Sequence, residues 1–180
     1  MTVTLAQINA ANAIDAVVLL DGIYEHSPWI AAAAMAERPF ADLAQLRRAL
    51  ADAVRAGGRD AQLALLRAHP KLAGKAMVAG TLTAESTDEQ TRSGLTQCSP
   101  EEFARLHALN DAYDARFGWP FILAVRGPTG QGLTRGEIIE TFERRLASEP
   151  EAEFEECLRN VHRIAELRLA DRLGSGAEGA

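Results

Sequence analysis

The sequence predicts an all-α protein, a compact single-domain bundle of about eight helices. Three observations carry this. Ala, Leu, Glu and Arg dominate while aromatics make up only 6% of the 180 residues, a composition rich in helix formers and poor in residues that suit a pleated sheet. Apolar residues recur at spacings of three and four in most segments. The interruptions between those segments carry recognisable helix start and stop chemistry. With 47% hydrophobic residues the chain is long enough to bury a core, and its length favours one domain, over residues 1–173.

In chain order, an Ala-rich helix is expected from Leu5 to Tyr24. Ser27-Pro28 then supplies an N-cap and a proline at the first helical position, opening a short helix through Trp29 and Ile30. From Asp42 to Arg55, Leu43, Leu46, Leu50 and Val54 form one apolar stripe, which Gly57-Gly58 should end. Arg59 to Ala68 repeats the pattern and stops at His69-Pro70, after which Pro70 is expected to open a helix over Leu72 to about Ala79. Thr83 or Ser86 caps a helix containing Glu89 and Gln90. Ser99-Pro100-Glu101-Glu102 is a capping box before a helix that runs to Phe117 and stops at Gly118; Thr134 and Glu137 repeat the device. A long helix closes the fold from about Glu151 to Leu173, and residues 174–180 have the composition of a disordered tail. Trp119 to Val125 is the one apolar run that does not fit a helix.

Charge and composition exclude several classes. A formal charge of -6, with no stretch concentrating Lys and Arg, disfavours a nucleic-acid partner. No window is long and apolar enough for a membrane span, and the N-terminal apolar residues are interrupted by Gln7, Asn9, Asn12 and Asp15. Cys98 and Cys157 form no C-x-x-C pair, so reduced thiols and a cytoplasmic location are expected. The histidines, His26, His69, His107 and His162, never stand three or four apart, so no helix offers a paired ligand face and no metal is expected. Neither a G-x-S-x-G elbow nor a phosphate loop occurs.

Two positions invite a functional reading. Pro70 disfavours helical backbone at His69 and so constrains the direction of that imidazole; taken alone, an isolated His-Pro is more simply a polar helix cap with no further role. On the final helix, with Phe154 at zero and roughly 100° per residue, Leu158, Val161, Ala165 and Leu169 fall on one face, and Arg168 falls among them. A guanidinium on an apolar stripe must meet an acid, from the protein or from a ligand, because burying an isolated charge is costly. Arg163 falls on the opposite face, and Arg172 lies near the helix end, where its stem can reach water.

Taken together, Tyr24-Glu25-His26-Ser27-Pro28-Trp29-Ile30, His69-Pro70-Lys71-Leu72-Ala73-Gly74-Lys75, Ser86-Thr87-Asp88-Glu89-Gln90 with Gly94-Leu95, Asn110 through Ile122, and Glu166-Leu167-Arg168-Leu169 resemble, in order, the signatures of the OHCU (2-oxo-4-hydroxy-4-carboxy-5-ureidoimidazoline) decarboxylases. The resemblance implies an all-α homodimer without metal or organic cofactor that forms (S)-allantoin during urate breakdown. By resemblance His69 matches the catalytic histidine, Glu89 its acidic partner and Arg168 the substrate-binding arginine. Pro70, Ser86, Thr87, Asp88, Glu89 and Gln90, with Phe121, Ile122, Leu123, Ala124 and Val125, match the walls of the pocket for a small anionic ureidoimidazoline, the last five largely through backbone groups. Lys71 stands where an aspartate is common and Ser93 where alanine is common; both positions are peripheral to the reaction, and Lys71 bears on the electrostatics around His69. Two other classes remain: a non-catalytic helical interaction module, in which these residues are caps and salt bridges, and an amidohydrolase acting on ureido compounds, which would normally want a metal-ligand cluster.

Overall fold

The computed structural model describes residues 3–74, 82–127 and 132–173. Their regular structure is helical: α1 (Leu5–Ala10), α2 (Ala13–Leu19), α3 (Pro28–Ala34), α4 (Leu43–Ala56), α5 (Gly58–Ala68), α6 (Ala84–Arg92), α7 (Pro100–Phe117), α8 (Arg135–Leu146) and α9 (Pro150–Leu173), with short 3-10 turns at Met35–Glu37 and Leu95–Gln97. The all-α expectation holds. The chain forms two compact units, one of residues up to Ala68 together with those from His162 onward, the other from His69 to Val161. Helix α9 therefore serves both, its first half in the second unit and its second half in the first.

In the first unit the expected opening helix from Leu5 to Tyr24 is instead two. Ala11 turns extended, and Asn12 caps a new helix by accepting the Asp15 amide at 2.9 Å while donating to the Asp15 carboxylate at 2.7 Å. The asparagine offers the backbone a better local partner than helix continuation would. Helix α2 then stops at Leu19, and residues 20–26 form turns. Ser27 precedes α3 but makes no side-chain cap; Pro28 at the first position is what sets the start. Helix α4 is as expected: Asp42 accepts the Gln45 amide at 2.7 Å, and Leu43, Leu46, Leu50 and Val54 are all buried, each contributing on the order of 1.5–3 kcal/mol. Of the two glycines after it, only Gly58 is left-handed (φ +73); Gly57 stays right-handed, where an added Cβ would stand 2.8 Å from the Trp29 ring.

In the second unit Thr83 caps α6, Ser99 and Glu102 form the expected box at α7, and Thr134 and Glu137 the one at α8. Helix α7 ends at Gly118 with φ +76, a conformation glycine adopts without steric cost. The core is aromatic. Phe121 stacks on Phe142 with centroids 3.8 Å apart and planes within 10°, while Tyr113 meets both rings edge-on. Residues 119–125 are irregular, as their length and composition predict, yet Phe121, Ile122, Ala124 and Val125 are buried. Such a segment needs partners for its backbone, and two polar side chains supply them: Arg145 donates to the Ile122 carbonyl at 2.6 Å, and Asn160 accepts the Ala124 amide at 3.0 Å.

No helix among the described residues is long and apolar enough to cross a membrane.

Candidate active site

His69 is buried, 8% exposed, where α5 gives way to Pro70. The expected helix from Leu72 does not begin there. Leu72 and Ala73 form a turn, with Ala73 left-handed at φ +48, and the remainder of that expected helix lies outside the described residues. Gln90 holds the turn: its Oε1 accepts the Ala73 amide at 3.0 Å and its Nε2 donates to the Lys71 carbonyl at 3.5 Å. Asn110 of α7 donates to the Leu72 carbonyl at 2.9 Å. The His69-Pro70 junction is thus followed directly by a backbone turn pinned from two helices.

On α6 the expected wall residues divide by helical phase. Ser86 and Gln90, four apart, are buried; Glu89 is half-buried beside them; Thr87 and Asp88 are exposed, and the Thr87 hydroxyl donates back to the Thr83 carbonyl at 2.9 Å. The two departures from the family pattern have local answers. The Lys71 ammonium is paired with the Asp114 carboxylate, so the charge it adds near His69 is offset. The Ser93 hydroxyl donates to the Gln90 carbonyl at 2.9 Å, one turn back.

The Phe121–Val125 segment is braced by a buried ion pair. Arg145 and Glu153 are both 0% exposed, with Nη2 2.6 Å from the carboxylate; the guanidinium carbon lies 4.5 Å from the Phe121 ring centre, and Tyr113 donates its hydroxyl to Glu153. Burial alone would push Arg145 towards losing its proton; the hydrogen bond and charge of Glu153 more than offset that and hold it protonated. Burial also raises the pKa of Tyr113, further raised by Cys157 and Glu153, which keeps its hydroxyl a donor. Because Asn160 already takes the Ala124 amide, any ligand contact to this segment falls to its other backbone groups.

Arg168 lies in the first unit. It is 5% exposed on the apolar face of α9, as the periodicity predicts, and the acid it meets is Glu25, 1% exposed: Nη1 donates to Glu25 Oε2 at 2.8 Å and to the Gly22 carbonyl at 2.9 Å. Arg172 does not simply reach to water. It donates to the Leu19 and Asp21 carbonyls at 3.2 and 2.9 Å, at the C-terminal end of α2, where a cation is favoured. Nearby, the Tyr24 hydroxyl and His162 Nδ1 are 2.9 Å apart; burial lowers the His162 pKa, against a raising influence from Glu166, and burial raises that of Tyr24. With His162 neutral and its proton on Nε2, the Tyr24 hydroxyl donates to Nδ1.

The sequence singles out His69, Glu89, Gln90 and Arg168 as candidates but assigns no role to Glu25, Asn110, Arg145, Glu153 or Asn160. The same reasoning that singled out Arg168 applies to Arg145, which stands seven residues after the buried Ile138 on one helix face. Among the described residues no group of three or more His, Cys, Asp or Glu side chains is arranged to hold a metal ion.

Residues 9–170 match the model of a protein family described as OHCU decarboxylase. The chain belongs to the OHCU decarboxylase family. It is 38% identical over 172 residues to the 2-oxo-4-hydroxy-4-carboxy-5-ureidoimidazoline decarboxylase of Haloferax volcanii, covering 96% of this chain and 97% of that one. The mouse (Mus musculus) protein of the same name is 38% identical over 176 residues, covering 98% and 96%. The Bacillus subtilis uric acid degradation bifunctional protein PucL is 41% identical over 152 residues, 84% of this chain, but the match spans only 29% of that longer protein. Among solved structures, an (S)-allantoin synthase superposes with a TM-score of 0.72 at 29% identity, covering 95% of this chain and 54% of that one.

Proposed function

We propose that this member of the OHCU decarboxylase family converts 2-oxo-4-hydroxy-4-carboxy-5-ureidoimidazoline to (S)-allantoin and carbon dioxide in urate degradation, as a cofactor-independent carboxy-lyase. The observation that carries this reading is the match to decarboxylases of similar length over nearly the whole chain, with the His69-Pro70 and Ser86–Gln90 signatures standing in one locality, tied by Gln90.

The substrate carries a carboxylate and a hydroxyl on one ring carbon. Breaking the bond to the carboxylate releases carbon dioxide and leaves an electron pair that the imidazoline ring delocalises towards the neighbouring ureido-bearing carbon; that carbon takes up a proton, while the hydroxyl loses its own and its carbon becomes the ring carbonyl of allantoin. His69, oriented by Glu89, handles the proton of the hydroxyl or the proton delivered to the carbon; such acid–base work is typically worth about 10²–10⁴-fold in rate. Arg168 binds a substrate anion through charge-assisted hydrogen bonds. Pro70, Ser86, Gln90 and the backbone of Phe121–Val125 form the walls, and a wall fixed by Arg145 and Asn160 presents one face of the ring to the proton. Handedness of the product follows from that orientation. Thr87 and Asp88 complete the α6 segment of the wall, and the active form is a cytoplasmic homodimer.

The test is turnover of freshly generated urate-oxidation product by wild type and by His69→Ala and His69→Asn. Acceleration should fall by about 10²-fold or more with the circular dichroism of the folded protein unchanged. Unaltered turnover in either folded variant would remove His69 from the chemistry.

A further inference from the structure

Glu25 is the most deeply buried carboxylate of the first unit's described residues, and the chain goes to some length to bury it. It sits in the turns between α2 and α3, between two residues in left-handed conformation, Gly22 at φ +79 and His26 at φ +45. Glycine tolerates that region; histidine adopts it at a steric cost. The result is a reversal of side-chain direction between neighbours: Glu25 points inward at 1% exposure, while His26 is 68% exposed. Strain held at a non-glycine residue is an observation from which function can be argued.

The strained turn delivers two acceptors to one nitrogen. Both the Glu25 carboxylate and the Gly22 carbonyl receive Arg168 Nη1. The same segment is pinned to α9 at three further points, through Tyr24 to His162 and through Leu19 and Asp21 to Arg172. Its register against Arg168 is therefore fixed. An arginine side chain carries about 2 kcal/mol of rotamer entropy, and a ligand that had to order it would bind more weakly by a share of that. From this geometry we infer that Glu25 is a positioning residue for Arg168: with the Gly22 carbonyl it anchors one guanidinium nitrogen, fixing the plane in which Arg168 presents its donors to the substrate anion. The inference rests on the reading of Arg168 as the anion-binding residue.

Steady-state kinetics on freshly generated urate-oxidation product separate the two. Arg168→Met is expected to raise KM at least about tenfold, the loss of a charge-assisted hydrogen bond. Glu25→Ala is expected to raise KM by a similar factor with kcat changed less than about threefold. Glu25→Gln, whose carbonyl still accepts from Arg168, should return KM to within about threefold of wild type. The double variant Glu25→Ala/Arg168→Met should be no worse in KM than Arg168→Met alone, because Glu25 acts through Arg168. A merely structural role would lower the folded, active fraction and hence apparent kcat, leaving KM where it was. If Arg168→Met raises KM and folded Glu25→Ala does not, the positioning role is wrong while the reading of Arg168 stands. If Arg168→Met leaves KM unchanged, the reading of Arg168 itself fails. Should Glu25→Ala not fold, Glu25→Asp decides: its shortened reach should raise KM at least about threefold, and an unchanged KM overturns the proposal.

Discussion

Arg145→Met is the most exacting single perturbation of this fold. The substitution keeps an unbranched apolar stem but removes the guanidinium that pairs with Glu153, supports the Ile122 carbonyl and lies over Phe121. Glu153, at 0% exposure, is left with the Tyr113 hydroxyl as its remaining described strong donor, and the Ile122 carbonyl loses its partner. Breaking a buried ion pair from one side costs about 3–5 kcal/mol, against a total stability of roughly 5–15 kcal/mol for an ordinary domain. In a chain of this size each 1 kcal/mol moves the melting temperature by about 2–4 °C, so a fall of roughly 6–20 °C is expected. Thermal melts followed by circular dichroism, with urea titrations for the free energy, measure it. Adding Glu153→Leu should recover at least about half of the loss, because removing both charges avoids the uncompensated carboxylate. A drop of less than about 2 °C in Arg145→Met, or a double variant no better than the single one, would refute the argument that desolvated charge holds the Phe121–Val125 segment in place.

Three further outcomes follow from the same physics. His162 has a folded pKa lowered by burial, so the unfolded chain binds its proton more readily; the stabilisation is complete above the ordinary value near 6.5 and is lost as pH falls below it, and the urea midpoint should drop between pH 7.5 and 5.5 by less in His162→Gln than in wild type. Gly58→Ala, at φ +73 in open space, should cost about 1 kcal/mol from backbone strain alone, read as a lower urea midpoint at unchanged m-value. Asn160→Ala, which deprives the Ala124 amide of its acceptor, should cost about 1–3 kcal/mol and lower the enantiomeric purity of the product, measured by chiral separation of allantoin.

Much of the fold could be read from residue order because its punctuation is local. Capping boxes at Ser99 and Thr134 and the glycine stop at Gly118 act within four residues, and each stands where the sequence places it. The break at Asn12 is equally local, but the apolar periodicity of Leu5 to Tyr24 runs across it and hides it; in the fold the cap prevails. The turn at Leu72–Ala73 depends on Gln90 and Asn110, far along the chain, and no local pattern announces it. Periodicity placed Arg168 on a buried stripe and demanded an acid for it; which acid is a tertiary matter, and Glu25 lies 143 residues away. Arg145 and Glu153 belong to different helices, so only their folded proximity makes them a pair.

The central claim is tested most directly by following circular dichroism while wild-type protein acts on freshly generated urate-oxidation product. The account predicts an allantoin signal of one hand, the S enantiomer, appearing faster than in buffer. Racemic allantoin formed no faster than in the protein-free control would contradict it.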